Sequence, residues 1–349
     1  MNFAKINTFK TGIITVLIII VVCTSFLIGC GQSDPNQGTG VNSIKKKTLK
    51  LSHCHQPDFS SELHMAAWVF KNWVNDHSAT LEVKIYESNA LGQERDVYEG
   101  MQLGGGASCI VGGTAILDNF VKKIGVLALP FLWQDYEHVH TVMDGEVGDI
   151  LTREMDEKGF IVLAWLDSWG YRNVVTSDKE IKTPEDLAGL KIRTIQTPTY
   201  IEALNAMGAN ATPMAFGEIY TSLQTGVLDG FEHSASIIEA SKFYEVSKYI
   251  AITKHLFGPV AFSFSKAEWV NLTDEEKDVV RTAAEMARDV ERSLASLREE
   301  KSFEFLKEKG MILHEIDTTG FRENAKHVQD TLAEELGAAE LLEMIRAAQ

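Results

Sequence analysis

Two arginines stand among apolar neighbours. Arg193 lies in GLKIRTIQTPTY, residues 189–200, beside Leu190, Ile192 and Ile195. The β-branched Ile192, Thr194 and Ile195 favour a strand, preceded by Gly189 and broken by Pro198. Arg172 lies in WGYRNVVT, residues 169–176, shortly after the apolar run FIVLAW of residues 160–165. A buried guanidinium must be paired, because an unpaired buried charge is strongly unfavourable. Its planar fork matches a carboxylate through two parallel hydrogen bonds. That carboxylate can belong to the protein, as a structural salt bridge, or arrive with a ligand. The two residues alone leave both readings open.

Other chemistry is thinly represented. The chain has no G-x-S-x-G elbow, no phosphate loop, no G-x-G-x-x-G after a strand, no H-E-x-x-H and, in its body, no C-x-x-C. His53-Cys54-His55 follows a strand and puts two histidines on one face, a spacing zinc can use with a third ligand. The same spacing serves a polar pocket lining or an ordinary loop end. No metal and no cofactor is expected.

These residues are carried by an alternation of strand and helix patterns, which predicts an α/β fold. Strands are expected at 48–52, 81–86, 108–111, 160–165, 190–195 and 256–264, and helices at 61–75, 93–103, 198–207 and 216–225. The run at 160–165 is continuously apolar, which predicts a central strand covered on both faces. Thr273-Asp274-Glu275-Glu276 is a capping box, and nothing breaks the pattern after it until Gly310. About 36 residues at 1.5 Å each give a helix of roughly 54 Å, long enough to bridge two domains.

The chain has 349 residues, which suggests about two domains. Residues 1–29 read as a secretory signal: Lys5 and Lys10, then an uncharged apolar run ending Leu27-Ile28-Gly29-Cys30. That tetrapeptide resembles a bacterial lipobox, which makes Cys30 a lipidation site and places the body outside the cytoplasm; a retained transmembrane anchor is the alternative. Residues 30–47 are polar and Gly-rich, a flexible tether. Removing Lys5 and Lys10 takes the net charge from −16 to −18. Such acidity argues against nucleic acid or anionic lipid as partner, and makes buried arginines informative. Cys54 and Cys109 remain in the body, and their pairing is not legible.

Three stretches, GLKIRT (189–194), MGANATPM (207–214) and FGEIYTSLQTGVLDG (216–230), resemble the core signature of TRAP transporter substrate-binding proteins of the DctP type. LGQER (91–95), LPFL (129–132) and KFYEV (242–246) support the resemblance, which covers about residues 48–345. It implies a two-lobed, periplasmic-binding-protein-like fold with a long helix spanning both lobes. Lobe I would comprise 48–169 and 259–285, and lobe II 170–258 and 286–349. It also implies that Arg193 makes the main contact to a ligand carboxylate and that Arg172 is a second ligand arginine. Glu99 matches a family glutamate that binds ligand hydroxyls or amines. Glu232-His233-Ser234 departs from the Glu-Asn-Pro of many members, so His233 replaces a ligand-binding asparagine and titrates, by its type, near neutral pH. His55, Gln56 and Asp58, with Thr114 and Asn119, are expected to line the first lobe. Trp169 is expected to stack on a sugar face or to pack in the core, and Phe216 to pack.

The expected function is capture of an organic acid, first a hexuronate or related sugar acid, second a C4-dicarboxylate. Delivery to the membrane subunits of a TRAP permease would follow, from a monomeric, lipid-anchored receptor. An exported enzyme or a sensory receptor on the same fold are the alternatives.

Overall fold

The computed structural model describes residues 45–348; Cys30, the signal segment and most of the tether lie outside the described residues. Among the described residues, eleven strands form two sheets. The first sheet contains β1 (Lys47–Ser52), β2 (Leu81–Tyr86), β3 (Cys109–Gly113), β4 (Phe160–Leu166) and, returning late, β10 (Val260–Ser265), in the order β2-β1-β3-β10-β4. The second contains β5 (Tyr171–Thr176), β6 (Lys191–Thr194), β7 (Asn210–Pro213), β8 (Gly230–His233), β9 (Tyr249–Phe257) and β11 (Ile312–Glu315), in the order β11-β9-β5-β8-β6-β7.

Each sheet with its helices makes one lobe. The chain crosses from the first lobe at Asp167–Gly170 and returns at Gly258-Pro259. The expected single strand over 256–264 is therefore two strands in different sheets, separated at a glycine and a proline that cannot continue a ladder.

The long helix spans Asp274–Glu308, 35 residues. Its capping box is formed: Thr273 Oγ1 accepts from the Glu276 N–H (3.2 Å), and Glu276 accepts from the Thr273 N–H (3.0 Å). It packs on helix α1 (Glu62–His77) and β4 of the first lobe, and farther on against the helix Ala235–Ala240 of the second. Glu291, fully buried, accepts hydrogen bonds from the backbone N–H groups of Asp167 and Ser168, fastening the long helix to the first crossover.

Two placements differ from expectation. β4 is an edge strand, not a central one. Its apolar faces are covered by the helix Glu146–Glu157 and by the long helix, so an apolar run recorded cover above and below but not its lateral neighbours. The segment 286–349 does not stay with the second lobe: helix Ala339–Ala347 packs on Glu146–Glu157, and His138 Nε2 bonds Ile345 O at 2.9 Å.

Candidate functional site

The strands β1, β3, β6 and β8 end at one region, the carboxyl edge where ligands bind in open α/β sheets. A cavity of about 30 Å³ lies there, lined from the first lobe by Gln93, Glu94, Arg95 and Ile116, and from the second by Arg193, Ile195, Gln196, Met214, Phe216 and His233. Ala215, beside Phe216, and Trp169, on the crossover, complete it.

Arg193 is placed by β6, which pairs with β7 and β8. Gly189, at φ +80°, turns the chain into the strand, and Asp229 accepts from the Lys191 N–H (2.8 Å). The Arg193 side chain is 3% exposed, yet among the described residues it forms no ion pair. Its Nε and Nη2 both donate to Met214 O, at 2.9 and 2.6 Å. Two of five donors are thereby used, and the plane of the fork is fixed. The Nη1–Nη2 end remains, the end that clamps a carboxylate bidentately. Burial lowers its pKa to about 10, with Arg172 adding repulsion and Glu232 and Glu94 opposing, so it stays charged at neutral pH.

Arg172 differs. It is fully buried and engaged by Glu232: Nε and Nη2 donate to the carboxylate, and Nη2 also to Glu232 O at 3.0 Å. The rings of Trp169 and Tyr200 flank the guanidinium at 5.3 and 5.5 Å. Its charge is neutralised inside the protein, and it is one side chain removed from the cavity, behind Trp169. Its Nη1 is buried without a hydrogen-bond partner. The opening ambiguity thus resolves differently for the two residues: Arg172 has an internal carboxylate and Arg193 has none.

The buried carboxyl at the cavity is Glu94, which sequence reasoning missed. It begins helix α2 (Glu94–Gln102), accepts from the Gly113 N–H at 3.2 Å and has the Cys54 thiol near it. Burial raises its pKa to about 7, against the pull of the Gly113 N–H, of the nearby Cys54 thiol and of Arg193 and Arg172. It is therefore a hydrogen-bond donor below neutrality and an acceptor above it. Glu99, the expected acid, is turned to solvent on the same helix, where it pairs with Arg95 (3.0 Å). Glu99 acts on the cavity only by holding that rim arginine. The signal for Glu94 was present in LGQER, whose glutamate stands at the helix start.

His233 is 1% exposed, with its Nδ1 accepting from the Ser234 N–H at 2.9 Å. That bond places the proton on Nε2, leaving a donor for the cavity. Burial, then repulsion from Arg172, lowers its pKa well below 6.5, which corrects the expected titration near neutrality. Trp169 lines the cavity with its Nε1 buried and unpartnered. β3 makes room for these groups by ending in two glycines. A Cβ on Gly113 would stand 2.0 Å from the Trp169 ring, and one on Gly112 would stand 2.7 Å from Tyr98 Oη and 3.1 Å from Glu94 Oε1.

The remaining expected residues scatter. His55 is buried, bonds Ser61 Oγ at 2.8 Å and leaves Nε2 unpartnered; burial lowers its pKa to about 3. His53 bonds His64 at 3.2 Å, so the two histidines face different partners, and among the described residues no cluster suits a metal ion. Asp58 is exposed and caps the turn at Ser60. Thr114 is buried and bonded to Pro259 O (2.8 Å), tying the end of β3 to the returning crossover. Asn119 is exposed and bonded to Ile116 O. Gln56 lines a second, larger cavity of about 240 Å³. Phe216, expected only to pack, borders both cavities. Cys54 and Cys109 are both buried and unpaired with each other.

The chain is similar to known proteins. Residues 52–336 match the family described as bacterial extracellular solute-binding protein, family 7. A solute-binding protein of Chromohalobacter salexigens is 34% identical over 257 residues, 73% of this chain and 76% of the relative. The sugar acid binding protein DctPAm of Advenella mimigardefordensis, solved with galactonate, superposes with a TM-score of 0.83 at 29% identity, covering 88% of this chain and 100% of that one. A TRAP periplasmic solute-binding protein of Chromohalobacter salexigens, solved with bound d-glucuronate, gives a TM-score of 0.82 at 31% identity, covering 86% and 100%. With its two lobes, its bridging helix and a buried arginine facing the cleft, the chain belongs to the DctP family of extracellular solute-binding proteins, the substrate-binding subunits of TRAP transporters.

Proposed function

We propose that this chain captures a sugar acid, a hexuronate or related six-carbon acid, and hands it to the membrane subunits of a TRAP permease. The carrying observation is Arg193: a buried, charged guanidinium with its carboxylate-clamping end unused. One such cation suits one carboxylate. The internal Arg172–Glu232 pair supports a monocarboxylate over a C4-dicarboxylate, because the second arginine has already been neutralised. Trp169 Nε1, His233 Nε2, Glu94 and the side-chain amides of Gln93 and Gln196 supply partners for hydroxyls. The galactonate and d-glucuronate in similar structures agree with this choice.

Closure of the lobes brings Arg193 and Glu94 to opposite walls of one site, so ligand contacts made only when closed stabilise that state. The protein acts as a receptor that returns its ligand unchanged, not as an enzyme. The sequence Leu27–Cys30 supports a lipid anchor that holds the protein outside the cytoplasm.

A thermal-shift screen of uronates, aldonates and C4-dicarboxylates tests the reading, since a ligand that binds the native state raises the midpoint by mass action. The expected result is the largest shift with one group of six-carbon acids. A larger shift with C4-dicarboxylates, or none with any carboxylate, would contradict it.

A further inference from the structure

The cavity at Arg193, about 30 Å³, has room for roughly two water molecules. A six-carbon acid does not fit there unaided. Beside it lies the cavity of about 240 Å³, and the ring of Phe216 borders both. That ring is only half-buried and is held by a tilted contact at 5.5 Å to His55 and edge contacts at 5.7 Å to His233 and 5.8 Å to Phe243.

The larger cavity is built for polar contact. Gln56, Ser88, Asn89 and Ser241 stand on its wall. Ser88 and Asn89 are consecutive non-glycine residues at φ +55° and +59°, a backbone conformation that is unfavourable and concentrates at functional sites. It is fixed by bonds from the Ser88 N–H to His55 O (2.9 Å) and from the Asn89 N–H to His53 O (3.3 Å). Asn89 also donates to Gln93 (3.1 Å), a residue of the smaller cavity.

We propose that the larger cavity is the distal half of the ligand site. It receives the hydroxyl-bearing far end of a six-carbon sugar acid, or of an acid that carries a second sugar there, once Phe216 turns aside. The carboxylate remains on Arg193. This inference rests on the sugar-acid reading above and adds chain length as what the second cavity selects.

The test is calorimetric titration with erythronate, gluconate and lactobionate on the wild type and on Gln56→Ala and Ser241→Leu. The first variant removes a distal amide and the second fills the cavity. Gln56 is exposed and Ser241 half-buried, and unfolding midpoints of both variants confirm folding. Expected is about a tenfold loss for gluconate and lactobionate, the worth of one or two hydrogen bonds, with erythronate changed by less than about twofold. An equal loss for long and short acids, or no loss for either, overturns the distal site while leaving the sugar-acid reading intact. A wild type that binds none of the three acids overturns both.

Discussion

Charge state separates the residues of the cleft. His233 accepts from the Ser234 N–H and is kept neutral by burial and by Arg172. It therefore acts as a fixed donor. His233→Ala should weaken sugar-acid binding by about 1 kcal/mol, the usual worth of one hydrogen bond, equally at pH 5.5 and pH 8. Titration calorimetry at the two values checks this; a His233-dependent step near pH 6.5 would contradict it. Arg193 was legible as a charge inside a strand pattern, and its environment makes it the open cation. The rest of the site was less legible. Glu94 and Glu99 lie five residues apart on α2, which turns them about 140° from each other around a helix of 3.6 residues per turn. Only the packing of α2 decides which one faces the cleft. Arg172 was equally plausible as a ligand arginine because its partner, Glu232, lies 60 residues away. The two meet through the pairing of β5 with β8, which a single chain read linearly does not display.

At the scale of elements, the ends of strands carry the site. The paired glycines that close β3 are required by the groups pressed against them. Gly113→Ala would put a methyl 2.0 Å from the Trp169 ring, and backbone and indole must part. The expected cost is about 1–3 kcal/mol of stability, as for other overpacked cores, with weaker ligand binding because Trp169 lines the cavity. Denaturant unfolding together with titration calorimetry reads both effects; unchanged stability and affinity would refute the tight fit. Elements announced by caps or by period were read well. The long helix was legible from its capping box and its uninterrupted length, and β1 and β2 from alternation. Lateral order was not. β4 is apolar because helices cover its faces; β10 enters between β3 and β4 late in the chain, and among the described residues no strand pairs on the outer side of β4, so it stays at the edge.

For the whole molecule, burying many titratable groups along the cleft and bridging helix sets a pH window for stability. Burial raises the pKa of Glu94 and Glu62 to about 7 and of Asp118 to about 6. These groups hold protons in the folded state that the unfolded chain releases, so their contribution is complete below the unfolded values of 4.5 and 3.8 and is lost as pH rises through about 6–7. Burial lowers the pKa of His53, His55 and His255 to about 3. Their contribution is complete above 6.5 and is lost as pH falls toward 3. Stability should therefore be greatest at about pH 5–6.5 and decline on both sides. Glu94→Gln should remove up to about 3 kcal/mol of the alkaline decline, at about 1.4 kcal/mol per pKa unit. Unfolding midpoints from pH 4 to pH 9 check this, and an alkaline limb unchanged by the substitution would contradict it. In the proposed reading, the ligand carboxylate meets one charge, Arg193. The most direct measurement is calorimetric titration of a hexuronate into the wild type and into Arg193→Ala, both confirmed folded. Loss of about 2–5 kcal/mol of binding free energy is predicted, as for removal of one partner from a buried charge pair. Near wild-type affinity in the variant would show that Arg193 does not hold the carboxylate, and would contradict the account.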